Sequence, residues 1–83
     1  MEKNFKTGDI VKVGTDAIML CVITDDLAEK DPNYYQAVTS NGDAATLSED
    51  IAPIEKIDHC DPSELGNKTK EEWRIWFINK GYC

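Results

Sequence analysis

The sequence predicts a mainly β domain, in which five short strands form a small barrel and one helix follows at the C-terminal end. Three observations lead to this prediction. Residues 5–23 contain a β-branched strand pattern and a longer apolar run, each preceded by turn residues. An Asn-Gly pair at residues 41–42 is typical of a tight β-hairpin. Near the end of the chain, a capping box precedes aromatic residues at helical spacing.

Two strands are predicted in the opening stretch. Residues 10–13 (IVKV) follow a Gly-Asp turn signal, and residues 17–23 (AIMLCVI) follow a Gly-Thr-Asp turn signal. The second run is short for a helix and apolar at every position, so we interpret it as a strand with two buried faces. One cover is expected to be the barrel interior. The other is expected to be a later segment of the chain or another molecule.

Three further strands complete the predicted barrel. The polar segment 25–33 indicates a long loop, and residues 34–39 (YYQAVT) are predicted as the third strand. The pair Asn41-Gly42 predicts a type I′ turn, after which residues 44–47 pair back as the fourth strand. Residues 48–50 favour one helical turn before a fifth strand over residues 51–57. Because Pro53 cannot donate a backbone hydrogen bond, this strand should be an edge strand or contain a break.

The rest of the chain is predicted to be a linker and a helix. Residues 58–66 form the linker, with a short helical turn that Asp61 caps and Gly66 ends. The helix is predicted over residues 69–81. Thr69 and the glutamate three residues later fit a capping box at its start, and Gly81 suits the left-handed conformation just after its end.

This helix has two apolar sides. Its aromatic residues lie on one side and are expected to cover the sheet: Trp73, Trp76 and Phe77. Ile75 and Ile78 lie roughly opposite and, joined by Tyr82, form an apolar patch. Either the linker or a second molecule must cover that patch. Since the linker offers only Leu65 as a large apolar residue, we favour a protein partner or a homodimer.

The chain length allows one domain, assigned to residues 1–83, with the barrel in residues 5–57. A domain of this size has a small core. The predicted core consists of Val11, Val13, Leu20, Val22, Val38, Leu47, Ile54, Trp73 and Phe77.

Composition restricts the classes of partner. The net charge of −7 at pH 7 argues against direct binding to nucleic acid and to anionic membrane surfaces. No apolar run approaches the ~20 residues of a membrane span, and the first residues lack the apolar segment of a signal peptide. With three cysteines and no secretion signal, we expect reduced thiols and a cytoplasmic location.

The chemistry-bearing residues do not form a catalytic or metal-binding pattern. Cys21, His59, Cys60 and Cys83 are residue types that bind zinc, but no Cys-x-x-Cys pair exists and His59 directly precedes Cys60. Neighbouring side chains seldom point together, so these two do not predict a nucleophile–base pair. There is no Gly-rich loop before a helix for a phosphate. The sequence therefore predicts no catalytic residue, no metal and no cofactor, and a protein that is not an enzyme.

Three segments carry a resemblance to a known group of proteins: residues 6–13 (KTGDIVKV), 41–43 (NGD) and 49–54 (EDIAPI). Their layout resembles that of small SH3-like barrel proteins encoded by phages and prophages of Gram-positive bacteria. The resemblance covers residues 5–57 and leaves out the helix. It implies an SH3-like barrel and a mobile-element source, and it implies no activity, because that group shares none.

Two functions are expected from these features. The first is a non-enzymatic protein-protein interaction module that binds through Ile75, Ile78 and Tyr82. The alternative is an acidic inhibitor that mimics nucleic acid and blocks a host nuclease or another nucleic-acid enzyme. In that case the binding residues would include the acidic loop, formed by Asp25, Asp26, Glu29 and Asp31. Mimicry predicts strongly salt-dependent binding, whereas an apolar interface predicts weak salt dependence.

Overall fold

A computed structural model describes residues 4–27, 30 and 33–82. The chain forms five strands, one short 3-10 turn and one helix. In order they are β1 (Asp9–Val13), β2 (Met19–Asp25), β3 (Tyr35–Thr39), β4 (Ala44–Leu47), β5 (Ile54–His59), the 3-10 turn (Pro62–Leu65) and α1 (Lys70–Asn79). The predicted mainly β fold with a C-terminal helix is confirmed.

The strands form one antiparallel sheet in the order β4-β3-β2-β1-β5. The sheet is open: β4 and β5 are its two edges and do not pair within the described part of the chain. The expected closed barrel is therefore wrong. Residues from all five strands nevertheless pack together on one face of the sheet, and α1 covers the other face.

Each face of the sheet carries its own core. The first cluster consists of Phe5, Val11, Val13, Cys21, Ile23, Tyr35, Ala37 and Leu47. The second consists of Ile10, Val22, Cys60, Trp73 and Phe77, with the side chains of Leu20, Val38, Ile57, Leu65, Trp76 and Tyr82 packed around it. Successive residues of a strand point to opposite faces, so β2 contributes to both clusters. This confirms that the apolar second strand has two covers, and that the helix is one of them.

Most of the predicted core residues are buried. Val11, Val13, Val22, Leu47, Trp73 and Phe77 are buried, while Leu20, Val38 and Ile54 are partly buried against one of the two clusters. The sequence reasoning missed that they belong to two separate cores.

Two strands start two or three residues later than predicted, and β3 starts one residue later, at Tyr35. β2 begins at Met19, which pairs with Val13, and leaves residues 14–18 as the loop between β1 and β2. β5 begins at Ile54, because residues 51 and 52 belong to the preceding turn and both donate their N–H to the carbonyl of Ser48, at 3.1 Å. Pro53 then offers only its carbonyl, which accepts from Gly14 at 3.0 Å. As predicted, the strand after this proline is an edge strand.

The β3–β4 hairpin is present, but its turn is not type I′. Gly42 has a φ of 87°, whereas Asn41 is not among the residues with positive φ. The Gly42 N–H donates to the Thr39 carbonyl (2.9 Å), and the Thr39 N–H donates to the Asp43 carbonyl (2.8 Å). This is a type I turn followed by a glycine bulge, an arrangement in which the glycine is the one residue that needs a positive φ. A Cβ at position 42 would clash with the carbonyl oxygen of Lys70, so the hairpin lies directly against the start of α1.

Both ends of α1 are capped as the sequence predicts. Thr69 Oγ1 accepts from the N–H of Glu72 (3.2 Å), and the Glu72 carboxylate accepts from the N–H of Thr69 (3.0 Å). At the other end Gly81 has a φ of 90°. Its N–H donates to Ile78 (3.0 Å), and the N–H of Tyr82 donates to Phe77 (3.1 Å), which is the Schellman arrangement. The helix is therefore fixed at both ends by local chemistry.

Candidate protein-binding surfaces

The outward side of α1 presents two isoleucines, which we call the helix patch: Ile75 and Ile78. Their side chains are 47% and 53% exposed, whereas Trp73 and Phe77 are buried against the sheet. This is the orientation that the helical spacing predicts. Leu65, the one large apolar residue of the linker, packs on the second cluster and not on the helix patch.

The side chains beside the helix patch are charged. Arg74 forms an ion pair with Glu71 at 3.3 Å, with both side chains largely exposed. On the opposite side of the helix, over the ring of Trp76, Lys80 forms an ion pair with Glu64 at 2.7 Å, which links α1 to the 3-10 turn. The hydrogen bond from Lys80 is the main reason that the pKa of Glu64 is lowered. An apolar centre with a polar rim is the usual composition of a protein-protein interface.

Tyr82 lies apart from the helix patch. It is half-buried beside the second cluster, and its hydroxyl donates to the carboxylate of Asp58, at 2.5 Å. Burial, and then this hydrogen bond, raises the pKa of Tyr82 to about 12. The contact ties the end of α1 to strand β5, so in this structure Tyr82 stabilises the fold and does not extend the patch.

The described carboxylates of the acidic loop form local hydrogen bonds. Asp25 accepts from the N–H of Leu27 at 3.0 Å. Asp26 accepts from the N–H of Thr7 (3.4 Å), and its own N–H donates to the Thr7 hydroxyl (3.1 Å). Both aspartates are half-buried, and Glu29 and Asp31 lie outside the described residues. Asp25 and Asp26 thus hold the loop against the start of the sheet.

A buried charge cluster lies at the start of β1, and the sequence reasoning missed it. Asp9 is only 2% exposed. Its carboxylate lies 2.6 Å from Nδ1 of His59 and 3.3 Å from the ammonium group of Lys56, and it accepts a hydrogen bond from the N–H of Lys6 (3.0 Å). Burial alone would raise the pKa of Asp9, but these hydrogen bonds outweigh it and lower the pKa. The Gly-Asp turn was the only sequence signal for this cluster, since two of the three hydrogen-bond donors to Asp9 lie far along the chain.

This cluster does not form a nucleophilic pair with the neighbouring cysteine. His59 is about half exposed and turns to Asp9, whereas Cys60 is buried in the second cluster. Burial raises the pKa of the Cys60 thiol, and it raises that of Cys21 to about 11. Both are free thiols, and Cys83 lies outside the described residues. Within the described ranges, no three His, Cys, Asp or Glu side chains group to hold a metal ion.

A groove of about 530 Å³ lies at the end of the sheet, between the β1–β2 loop and the β3–β4 turn. Near it are two exposed isoleucines that the sequence reasoning placed in strands: Ile18 (54% exposed) and Ile51 (76% exposed). Ile18 lines the groove, and Ile51 directly precedes Ala52, which also lines it. Each isoleucine adjoins turn residues, which is the signal that could have marked them as exposed.

Comparison of the chain with models of protein families, with curated proteins and with solved structures finds no match. None of the helices in the described part of the chain is long and apolar enough to cross a membrane.

Proposed function

We propose that this protein is a non-enzymatic protein-binding module and that it binds its partner through the helix patch. One observation carries the proposal: two isoleucines on adjacent turns of a fully capped helix are half exposed, and no part of either core covers them. An exposed apolar patch with a polar rim is a common mark of an interaction site.

The helix that presents the patch is rigidly held, which supports this function. Trp76 packs edge-on against Trp73 and Phe77, with ring centroids 5.6 and 5.0 Å apart. The ammonium groups of Lys68 and Lys80 lie over the rings of Trp73 and Trp76, at 4.6 and 5.4 Å. A surface that is ordered before binding loses little conformational entropy on association, so a small patch can contribute more of its burial energy to affinity.

We propose that the helix patch binds a different protein, and the alternative is that it binds a second copy of this chain. Each copy carries a net charge of −7, so association of two copies brings like charges together. A partner with basic residues around an apolar centre would instead be attracted by the net negative charge of this protein.

The strand order supports an SH3-like layout, which we propose as the fold relationship of this open sheet. A meander of four strands followed by β5 on the far side of β1, with a helical turn at residues 48–51 before β5, is consistent with that layout.

A phage or prophage source and a cytoplasmic location belong to the same proposal. Two free, buried cysteines in separate clusters suit a reducing compartment.

The alternative function, an acidic inhibitor that mimics nucleic acid, has less support. Mimicry needs carboxylates that face a basic channel, and Asp25 and Asp26 are half-buried with their oxygens hydrogen-bonded to backbone. Binding that falls steeply with salt would favour the inhibitor, since the Debye length shrinks from about 30 Å at 0.01 M to about 8 Å at 0.15 M.

The test is a matched pair of double variants. Ile75→Gln with Ile78→Gln removes the helix patch, and Ile18→Gln with Ile51→Gln removes two exposed isoleucines elsewhere. Affinity capture from a host extract, quantified by mass spectrometry, should show one protein that the first variant loses by at least about tenfold and the second retains. Equal capture by both variants would overturn the proposal.

Stability measurements separate binding from folding. Exposed substitutions change the free energy of unfolding by at most about 0.5 kcal/mol each, so both variants should unfold in urea near the wild-type midpoint. A loss of several kcal/mol in the first variant would mean that the chain itself covers these isoleucines.

A further inference from the structure

The two edges of the sheet differ in how they are protected. β5 carries Glu55, Lys56 and Asp58, follows a proline, and lies opposite a register shift in β1. Charges, prolines and irregular pairing are the usual devices that prevent an edge strand from pairing with another chain. β4 (AATL) contains no charge and no proline, and it pairs with β3 in an unbroken register. The β4 edge is therefore the one able to accept another strand.

Hydrogen-bonded and non-bonded residue pairs alternate along the hairpin, and this alternation determines which backbone groups of β4 point away from β3. The N–H of Thr39 donates to the carbonyl of Asp43, so Thr39 and Asp43 occupy a hydrogen-bonded position of the ladder. In an antiparallel pair the bonded positions alternate, which places Ala45 and Leu47 in bonded pairs with β3. The N–H and C=O groups of Ala44 and Thr46 then point away from the sheet, as an added strand requires.

A shallow hollow of about 250 Å³ lies beside this edge. It is lined by small and polar side chains, among them Thr24, Val38, Ala44 and Thr46. Val38 also packs on the second cluster, so the hollow is on the helix side of the sheet. An added strand would place every second side chain over this side, beside Gln36, Ala44 and Thr46, where a small β-branched side chain such as valine or threonine suits the lining.

The charges around β4 indicate what kind of strand fits. Asp43 precedes the strand, and Glu49 and Asp50 follow it. Lys70 pairs with Asp43 at 3.0 Å and balances the charge at that end of the edge, whereas Glu49 and Asp50 leave the other end net acidic. Two copies of the chain, each with a net charge of −7, would repel each other. A segment with lysine or arginine where it meets Glu49 and Asp50 would be attracted.

We propose that the β4 edge binds an extended segment of another protein by strand addition, with small β-branched side chains over the hollow and basic residues at the end that meets Glu49 and Asp50. This site is separate from the helix patch and does not depend on it. The protein would then hold one partner segment by backbone hydrogen bonds at the sheet edge, whatever binds α1.

The probe is a short synthetic peptide of alternating valine and threonine with lysines at both ends. Two matched peptides replace the terminal lysines by glutamates, or the central valine by proline. Fluorescence anisotropy should show binding of the lysine peptide that is at least about tenfold tighter than that of either control. Backbone NMR shifts in the wild-type protein should concentrate at residues 36–38 and 44–47.

The decisive variant is Thr46→Pro, with Thr46→Val as its control. Proline removes an outward N–H that makes no bond to β3, whereas valine retains it. Thr46→Pro should abolish peptide binding, and Thr46→Val should preserve it. If Thr46→Pro fails to fold, Ala44→Lys should abolish binding instead, because it places a cation in the hollow.

Three outcomes would overturn the proposal. One is absence of binding of the lysine peptide to the wild-type protein, and another is equal binding to Thr46→Pro. The third is a concentration-dependent dimer in sedimentation that Thr46→Pro dissociates, which would make a second copy the occupant of the edge. A failure of this test would not bear on the proposed role of the helix patch, because the variants that test the helix patch lie on α1.

Discussion

At the scale of single residues, Asp9 links two distant parts of the chain. It is buried at the start of β1, and its carboxylate is held by the side chains of His59 and Lys56 from β5 and by the backbone of Lys6. Because the carboxylate is ionised at neutral pH, Nδ1 of His59 donates the proton in their hydrogen bond. The pair joins the first and last strands at the end of the sheet.

We expect Asp9 to control stability in acid. Its pKa is lowered by folding, so its contribution is present above the ordinary value of 3.8 and is lost as the pH falls below it. Asp9→Asn should therefore destabilise the protein at pH 7 by roughly 2 kcal/mol, the usual size for hydrogen bonds to a charged group. It should also flatten the loss of stability below pH 4 in urea unfolding curves.

Asp16→Asn is the control for this prediction, since Asp16 is exposed in the β1–β2 loop. It should leave the free energy of unfolding at pH 7 nearly unchanged, because the side chain is exposed. Identical acid unfolding of wild type and Asp9→Asn would show that the ion cluster does not stabilise the fold.

Asp9 also shows where reasoning from the sequence stops. The Gly-Asp pair predicted a turn, and the turn is present, with the Asp9 N–H donating to Lys6 at 3.0 Å. Its side-chain partners lie about 50 residues away on a strand whose register is set by a bulge between Ile10 and Val11. No local pattern specifies that register, so the buried cluster could not be predicted.

At the scale of elements, the β3–β4 hairpin and α1 are tied together at Gly42. This glycine has a positive φ, and its open side faces the backbone of Lys70. Thus Gly42 is required twice: the turn needs its positive φ, and the close approach of α1 needs the absence of a Cβ at this position.

Gly42→Ala should therefore be costly. A left-handed conformation strains any residue with a Cβ, and here the added carbon would also push the helix from the hairpin. We expect a loss of about 2 kcal/mol in the free energy of unfolding, measured in urea. Gly66→Ala is the matched control, because Gly66 has a negative φ and open space around its Cβ position, and it should change stability by less than about 0.5 kcal/mol. Equal midpoints for the two variants would contradict the described packing.

The elements were predicted best where their signals are local. The caps of α1 depend on residues within one turn, and Thr69, Glu72 and Gly81 perform the roles that the sequence indicates. Strand starts depend on pairing partners: Ile18 and Ile51 look like strand residues, yet one belongs to a loop and the other to a turn. The predicted turn type was wrong for a related reason. A type I turn with a bulge and a type I′ turn both require glycine at position 42, so the glycine does not distinguish them.

At the scale of the whole molecule, one sheet separates two cores. The sequence predicted that β2 needs two covers, but not that the sheet would stay open. Apolar content shows how much surface must be buried, whereas closure depends on whether β4 and β5 meet. The exposed β4 edge follows from this topology, and so the sequence offered no sign of it.

A shared sheet should make unfolding of the two cores a single transition. Ile23→Val removes a methyl group from the first cluster and should cost about 1 kcal/mol. Trp73 and Trp76 lie in or beside the second cluster, on the far side of the sheet. Tryptophan fluorescence and far-UV circular dichroism should nevertheless report the same shift in urea midpoint.

The control is Ile78→Val, an exposed change on the helix, which should leave both midpoints in place. If fluorescence kept the wild-type midpoint in Ile23→Val while circular dichroism shifted, the helix side would be unfolding independently of the sheet.

The alternation along β2 has a consequence for how this sequence can change over time. Val22 and Ile23 are chain neighbours that belong to different cores, whereas Val11 and Ile23 are distant in sequence and share one. Substitutions at Val22 and Ile23 should combine additively, while those at Val11 and Ile23 should compensate or aggravate each other. Homologous chains would then vary in two interleaved sets of positions, each free to repack without reference to the other.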